Sequence, residues 1–449
     1  MESWLKISIL LSVFGFIKEM RPSEPFISNY LLGEWRNITE EQLSQDVYPV
    51  GTYSYLAQLV IVFLITDFFR YKPLMVVCGI SGIIVWSMLL WTTSLVSLQI
   101  LEFFYGTYMS TEVAYYTYIY AKVDKEHYQK VTSHTRAANL GGRFLAGVLA
   151  QILVYTKLMN YKDLNYISIG AQIIATMWAL FLPSVSKSLY FHRDDEAIKN
   201  NLPTLEKGAS SSESLADSTV MQNYILQTKS KSLKEKYSDA FKILWKHFVS
   251  AYTNWHVIQW SLWYALAMCG FIQVQAYIQI LWALIQPNTE ESALWNGAIE
   301  AALTLLGAGA ALLAGYLTSY KGGLLTLTIC SFLEGGAILV SAQTTSLWLS
   351  YLGYIVFGVL YMFMITIASA EIAKYIEEDS FGLIFGINTT YALAFQTILT
   401  IVVISKDGFE LRTREQFIVY GYYFIALGAI YFIATIVIYI IKSRKVAVS

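Results

Sequence analysis

Twelve windows of about twenty or more apolar residues follow one another along this chain, and they decide its fold class before any motif is read. In hydrocarbon every backbone N–H and C=O must be satisfied within the protein, so segments of this length become helices. The windows lie at about 5–31, 48–66, 74–93, 98–121, 133–155, 164–183, 256–284, 294–318, 323–342, 346–373, 380–404 and 416–441. The fold class is therefore an all-α polytopic membrane protein with twelve transmembrane helices. Composition agrees: 56% of the residues are hydrophobic and 14% charged, against about 25% charged in soluble domains. The first apolar run has no small-residue cleavage site after it, so it is expected to stay as the first span.

One long polar segment interrupts this series, with HRDDEAIKNN, the low-complexity GASSSESLADS and a lysine-rich end. It divides the chain into an N-terminal six-helix half at 1–183, a cytoplasmic linker at 184–250 and a C-terminal six-helix half at 251–449. Placing both termini in the cytoplasm puts about twenty basic residues inside and about six outside, as the positive-inside rule requires. The sequon Asn37-Ile38-Thr39 then faces outward, so Asn37 is an expected glycosylation site. Asn388-Thr389-Thr390 also matches but lies inside a span. In the linker, Leu233, Tyr237, Phe241, Leu244, Trp245 and Phe248 recur at helical spacing among lysines. They predict a basic amphipathic helix lying on membrane lipid at the inner surface.

The fourth span, EFFYGTYMSTEVAYYTYIYA from Glu102 to Ala121, carries two carboxylates. At 100° per residue Tyr105, Tyr108, Tyr115, Tyr116 and Ile119 fall within about 60° of Glu112, while Gly106, Ser110 and Ala114 form a small-residue strip on the other side. A mid-span acid costs about 2.5–3.5 kcal/mol to insert, so Glu112 is expected to face a polar cavity as a binding-site acid. The first span is broken by KEMRPSEPF, where Lys18, Glu19, Arg21 and Glu24 cluster around Pro22 and Pro25. Its freed carbonyls must be satisfied by protein or cavity water, which turns Glu24 inward, to pair with Arg21, meet substrate, or both. Arg136 and Arg143 share a face near an inner edge, a position that favours snorkelling over pairing. In the second half, Gln275 and Gln279 share one side of a span with Tyr277 about 160° from Gln279, and Glu300, Glu334 and Glu371 complete the interior acids. A cavity rich in carboxylate and tyrosine selects an organic cation with a polarisable body.

Other classes are disfavoured. A net charge of −1 gives nucleic acid no footing. Cys78, Cys269 and Cys330 lie in separate spans and build neither a disulfide framework nor a metal site. No nucleophile-base motif and no phosphate-binding glycine loop is present, so no enzyme and no cofactor are expected.

The motifs MRPSEPF, YPVGTYSYL, TDFFRYKP, EFFYGTYMSTEVAYYTYIY, HYQKVTSHTRAA, WNGAIEA and FGINTTYALAFQT together resemble the reduced folate carrier and thiamine transporter family. The resemblance runs from Met20 to about Tyr420 and implies a 6+6 major-facilitator arrangement, with alternating access for a vitamin at the plasma membrane. Asp67, Arg70 and Lys72 resemble the charged gating loop of that superfamily, without its glycines. Glu112 stands where folate carriers have an arginine, Gly358 where they have an arginine and Gln396 where they have a lysine. The implied substrate is thiamine or a similar cation, the alternatives being a folate or other organic anion and a pyridoxine-type vitamin. Glu24, Glu112, Tyr115 and Glu300 match thiamine-transporter site positions, and Tyr48 matches one held by phenylalanine. With Tyr116, Tyr277 and Gln279 they make the expected substrate-binding set, with Glu24 and Glu300 open to proton coupling. Gly51 replaces a tryptophan of that pattern and Ala276 an asparagine. A monomer is expected.

Overall fold

A computed structural model describes residues 3–448 except 37, 67, 70, 124, 186–232, 287–293, 317–322, 377–379 and 407. Asn37, Asp67, Arg70 and most of the linker thus lie outside the described residues. Among those described, all regular structure is helical. In chain order the helices are α1 (Ser3–Lys18), α2 (Ile27–Leu32), α3 (Tyr48–Thr66), α4 (Lys72–Trp91), α5 (Leu95–Lys122), α6 (Tyr128–Tyr155) and α7 (Leu164–Phe181). The series continues with α8 (Leu233–Tyr252) at the end of the linker, then α9 (Trp255–Ile285), α10 (Asn296–Tyr316), α11 (Gly323–Gln343), α12 (Leu347–Ala373), α13 (Phe381–Val403) and α14 (Thr413–Val448). Nine of these are long and apolar enough to cross a membrane among the described residues. The 28-residue α5 is not in that group. Its acids and tyrosines, the features that single it out chemically, lower its mean hydropathy.

The break in the first span follows from its prolines. Pro22 has no N–H and its ring crowds the carbonyl four residues earlier, so α1 stops at Lys18. The freed Lys18 carbonyl is taken by Gln172 Nε2 at 2.9 Å and by the Tyr108 hydroxyl at 3.3 Å. Chain direction resumes through a 3-10 turn at Glu24–Phe26 into α2. At that junction Gln279 of α9 accepts from the Ser28 N–H at 3.1 Å and donates to the Glu24 carbonyl at 2.9 Å. Its amide stands in for the missing bond of the helical ladder.

Close helix approach uses glycine at two places. A Cβ on Gly106 would meet Ser54 Oγ at 2.4 Å and the Tyr55 N at 2.8 Å, so the small strip of α5 lies against the α3 backbone. Gly147 of α6 and Gly297 of α10 each leave room for the other's carbonyl, 2.7 Å from the place a Cβ would occupy. Beside them Gln151 accepts from the Ala298 N–H at 3.1 Å and donates to the Leu294 carbonyl at 2.9 Å. Toward the opposite ends of the helices, Gly386 of α13 lies under the Phe63 ring of α3. Helices α1–α7 and α9–α14 therefore touch near both ends of the bundle.

The amphipathic helix of the linker is α8. Phe241, Trp245, Phe248 and Tyr252 form a continuous run of ring contacts along it, with Phe241 and Trp245 exposed. Arg143 corrects its expectation: it does not snorkel but binds Glu19, Nε to Oε2 at 2.6 Å. A nearby buried acid is a better partner than the membrane edge for a guanidinium within reach.

Candidate functional site

Helix α5 carries the centre of the site. Ser94 caps it by accepting from the Ser97 N–H at 3.1 Å, and the helix then runs unbroken to Lys122. The tyrosine face divides on packing. Tyr108, Tyr115 and Ile119 are buried, at about 1% exposure, whereas Tyr116 is 38% exposed. Tyr115 turns its hydroxyl to the Leu11 carbonyl and to Asn139 Oδ1, both at 3.1 Å, which pins α5 to α1 and α6. Tyr116 donates to Glu112 at 3.2 Å and accepts from Asn139 Nδ2 at 3.2 Å. Of the two adjacent tyrosines, one positions the helix and the other stands beside the acid.

Glu112 already holds a cation. Lys18 Nζ lies 2.6 Å from Glu112 Oε1 and 3.2 Å from Glu19 Oε1, and is 5.4 Å from the Tyr108 ring centre. Glu19 in turn accepts from Arg21 at 2.7 Å and from Arg143 at 2.6 Å, while Arg21 also donates to Glu24 at 2.6 Å. Three acids and three bases thus alternate in one chain of contacts, with no net charge. Lys18, Glu19 and Arg21 are at most 5% exposed, whereas Glu112 and Glu24 reach 13% and 35%. Buried ion pairs hold only while every member is matched. Arg143, at 43% exposure, closes the accessible side of Glu19, so the network hides Lys18 and Arg21 and leaves the carboxylates of Glu112 and Glu24 and one guanidinium accessible.

The remaining expected site residues fall into three places. Tyr48 shares its hydroxyl with Ser28 at 2.7 Å and meets the Tyr277 ring edge to face at 5.7 Å. Tyr277 is fully buried, with its hydroxyl 3.5 Å from the Ser44 carbonyl, and Gln279 is committed to the α1–α2 junction. Glu300 accepts from the Tyr354 hydroxyl at 3.0 Å and makes no ion pair among the described residues. Lys72, the one described member of the expected gating loop, donates to the Leu180 carbonyl at 2.7 Å. Glu371 is paired, with Lys374 at 2.5 Å and His256 at 3.2 Å. Glu334 is wholly buried and neither of its oxygens has a hydrogen-bond partner among the described residues. No cluster of metal-ligating side chains occurs among the described residues.

Lys18, Glu19 and Arg143 join Glu112 and Glu24 in one ion-pair network, and they were not among the expected site residues. Three charges within four residues at a helix break are legible as a cluster. Nothing in the sequence says that Arg143, more than a hundred positions away, completes it.

A bundle of apolar helices enclosing ion pairs and tyrosines, with helix contacts near both ends, is the architecture of a membrane transporter. Solved transporters share it: the nucleoside transporter NupG superposes with a TM-score of 0.58 at 12% identity, over 95% of this chain and 98% of that one. A POT family transporter in complex with a thioalcohol-conjugated peptide gives 0.62 at 12% identity, over 96% of each chain. The chain belongs to the reduced folate carrier family, whose model matches residues 2–419. It is 39% identical over 465 residues to thiamine transporter 1 of Mus musculus, covering 99% of this chain and 92% of that protein. Thiamine transporter 2 of Homo sapiens is 38% identical over 460 residues, with the same coverage. The reduced folate transporter of Homo sapiens is 34% identical over 442 residues, covering 96% of this chain and 72% of that protein. This is a family of transporters, not of enzymes.

Proposed function

We propose that the chain moves thiamine or a closely related organic cation across the plasma membrane by alternating access. Residues 1–183 and 251–449 would be two six-helix halves joined by the 184–250 linker, with twelve spans and cytoplasmic termini. The observation that carries this reading is Lys18 on Glu112, with Glu19 3.2 Å from the same ammonium. A carboxylate that holds an internal cation can exchange it for a substrate cation if the displaced group has another acid in reach. Glu19 is that acid. Substrate would then pair with Glu112 beside Tyr116, with Tyr48 farther along the path and Tyr115, Tyr277 and Gln279 holding the walls. Glu24 and Glu300, neither of them fully enclosed, are the groups through which protons would be exchanged.

Transport of a dicarboxylate such as a folate is disfavoured by two positions. Position 358 is a glycine packed against the Leu303 side chain and Gln396 is a buried neutral amide, so neither supplies a positive charge for a carboxylate. Labelled thiamine uptake in cells expressing the protein, competed separately by excess thiamine, pyridoxine and folate, tests the reading. Competition by thiamine is expected and competition by folate is not; uptake blocked by folate alone would overturn it.

A further inference from the structure

Gly51 and Glu102 meet across the α3–α5 interface in an arrangement outside the Lys18 network. A Cβ built on Gly51 would stand 2.3 Å from Glu102 Oε2, so the carboxylate lies in the volume that a side chain at position 51 would take. Glu102 is half-buried and makes neither an ion pair nor a hydrogen bond among the described residues. Tyr48 stands three residues from Gly51 on α3 and Tyr105 three residues from Glu102 on α5, so each tyrosine shares a helix face with one side of this contact. Tyr48 and Tyr277 themselves stand edge to face at 5.7 Å. By contrast Glu19, Glu24 and Glu112 each have at least one base within 2.7 Å.

A carboxylate partly removed from water, with no base opposite it and tyrosine rings around it, is best satisfied by a mobile cation, through charge pairing and ring contact together. We propose that Glu102, seated over Gly51, is a specificity-determining residue that receives the positive group of the organic-cation substrate at the Tyr48–Tyr277 corner. This deepens the cation-transport reading and rests on it. The glycine is integral to the proposal: a larger residue at 51 would expel the carboxylate, so a side-chain wall and this acid are alternatives for one space. Ten residues of helix separate Glu102 from Glu112, about 15 Å. One small positive group therefore cannot touch both, and Glu102 serves a position along the path separate from the Lys18-occupied acid.

The test is thiamine binding to purified full-length protein, measured by titration calorimetry alongside the melting temperature of the ligand-free protein. Glu102→Gln is expected to weaken thiamine binding about tenfold or more, while the ligand-free melting temperature stays constant or rises because an unmatched acid has gone. Gly51→Ala, which keeps the acid but displaces it, is expected to weaken binding in the same direction. The double variant should be no weaker than Glu102→Gln alone, since both changes remove one interaction. Affinity within twofold of wild type in both single variants overturns the proposal, as does a fall of affinity and melting temperature together, which marks a packing role. If the wild-type protein binds no thiamine at all, the cation-transport reading falls first and this inference with it.

Discussion

Replacing Lys18 with methionine separates a charge carrier from a structural spacer. The methionine thioether fills most of the volume of the lysine stem without its charge. Lys18 is 2% exposed and bridges Glu112 at 2.6 Å and Glu19 at 3.2 Å. Glu19 would keep Arg21 and Arg143, but Glu112 would keep only the Tyr116 hydroxyl at 3.2 Å. Breaking a buried pair costs about 3–5 kcal/mol, and the partial exposure of Glu112 places this one at about 3 kcal/mol. The ligand-free protein should therefore melt several degrees lower. A bound organic cation would restore the missing partner; recovering half of that loss, about 1.5 kcal/mol, amounts to roughly tenfold tighter binding. Stability and affinity thus move in opposite directions. Thermal melts of purified Lys18→Met over a thiamine series read both at once, and affinity equal to or weaker than wild type would refute the idea that Lys18 occupies the place of the substrate cation.

Three further changes test separate parts of the structure. Gln279→Leu leaves the Ser28 N–H without its partner, at about 1–3 kcal/mol, and leaves the Glu24 carbonyl with the Ile27 N–H alone. It should lower the melting temperature and uptake together, and an unchanged melt would mean that the amide does not bridge the broken ladder. Gly147→Val introduces a side chain where the Gly297 carbonyl lies 2.7 Å away. Backbone cannot yield as a side chain can, so uptake should fall more than about tenfold at normal surface abundance, and full activity would exclude a role for this α6–α10 contact in the cycle. Gly358→Arg forces the Leu303 side chain to move and adds a positive charge, so thiamine uptake should fall; thiamine uptake equal to wild type would show that the position does not face the cation.

The helical class and the position of every long helix were legible because membrane solvation leaves the backbone few choices. The broken first span was legible too, since Pro22 and Pro25 remove donors wherever they sit. What periodicity could not supply was the pairing between distant helices. Glu112 read as a free acid because its own helix carries no base near it; the ammonium that neutralises it comes from Lys18, 94 positions earlier. The even tyrosine stripe likewise split once α1, α4 and α6 packed against it, burying Tyr108 and Tyr115 and leaving Tyr116 open. Gln279 looked like a ligand amide, but the carbonyl it satisfies is freed on another helix, and that demand appears only when α2 and α9 are side by side. Gly51 read as a lost aromatic wall, whereas the space it leaves holds Glu102.

Thiamine binding to purified Glu112→Gln protein, compared with wild type by thermal shift, addresses the central claim most directly. The substitution keeps the volume and leaves Lys18 its contact with Glu19, so the variant should remain folded. The expected result is a wild-type melting temperature that rises with thiamine and a Glu112→Gln melting temperature that does not. A variant stabilised by thiamine as strongly as the wild type would contradict Glu112 as the acid that recognises the cation.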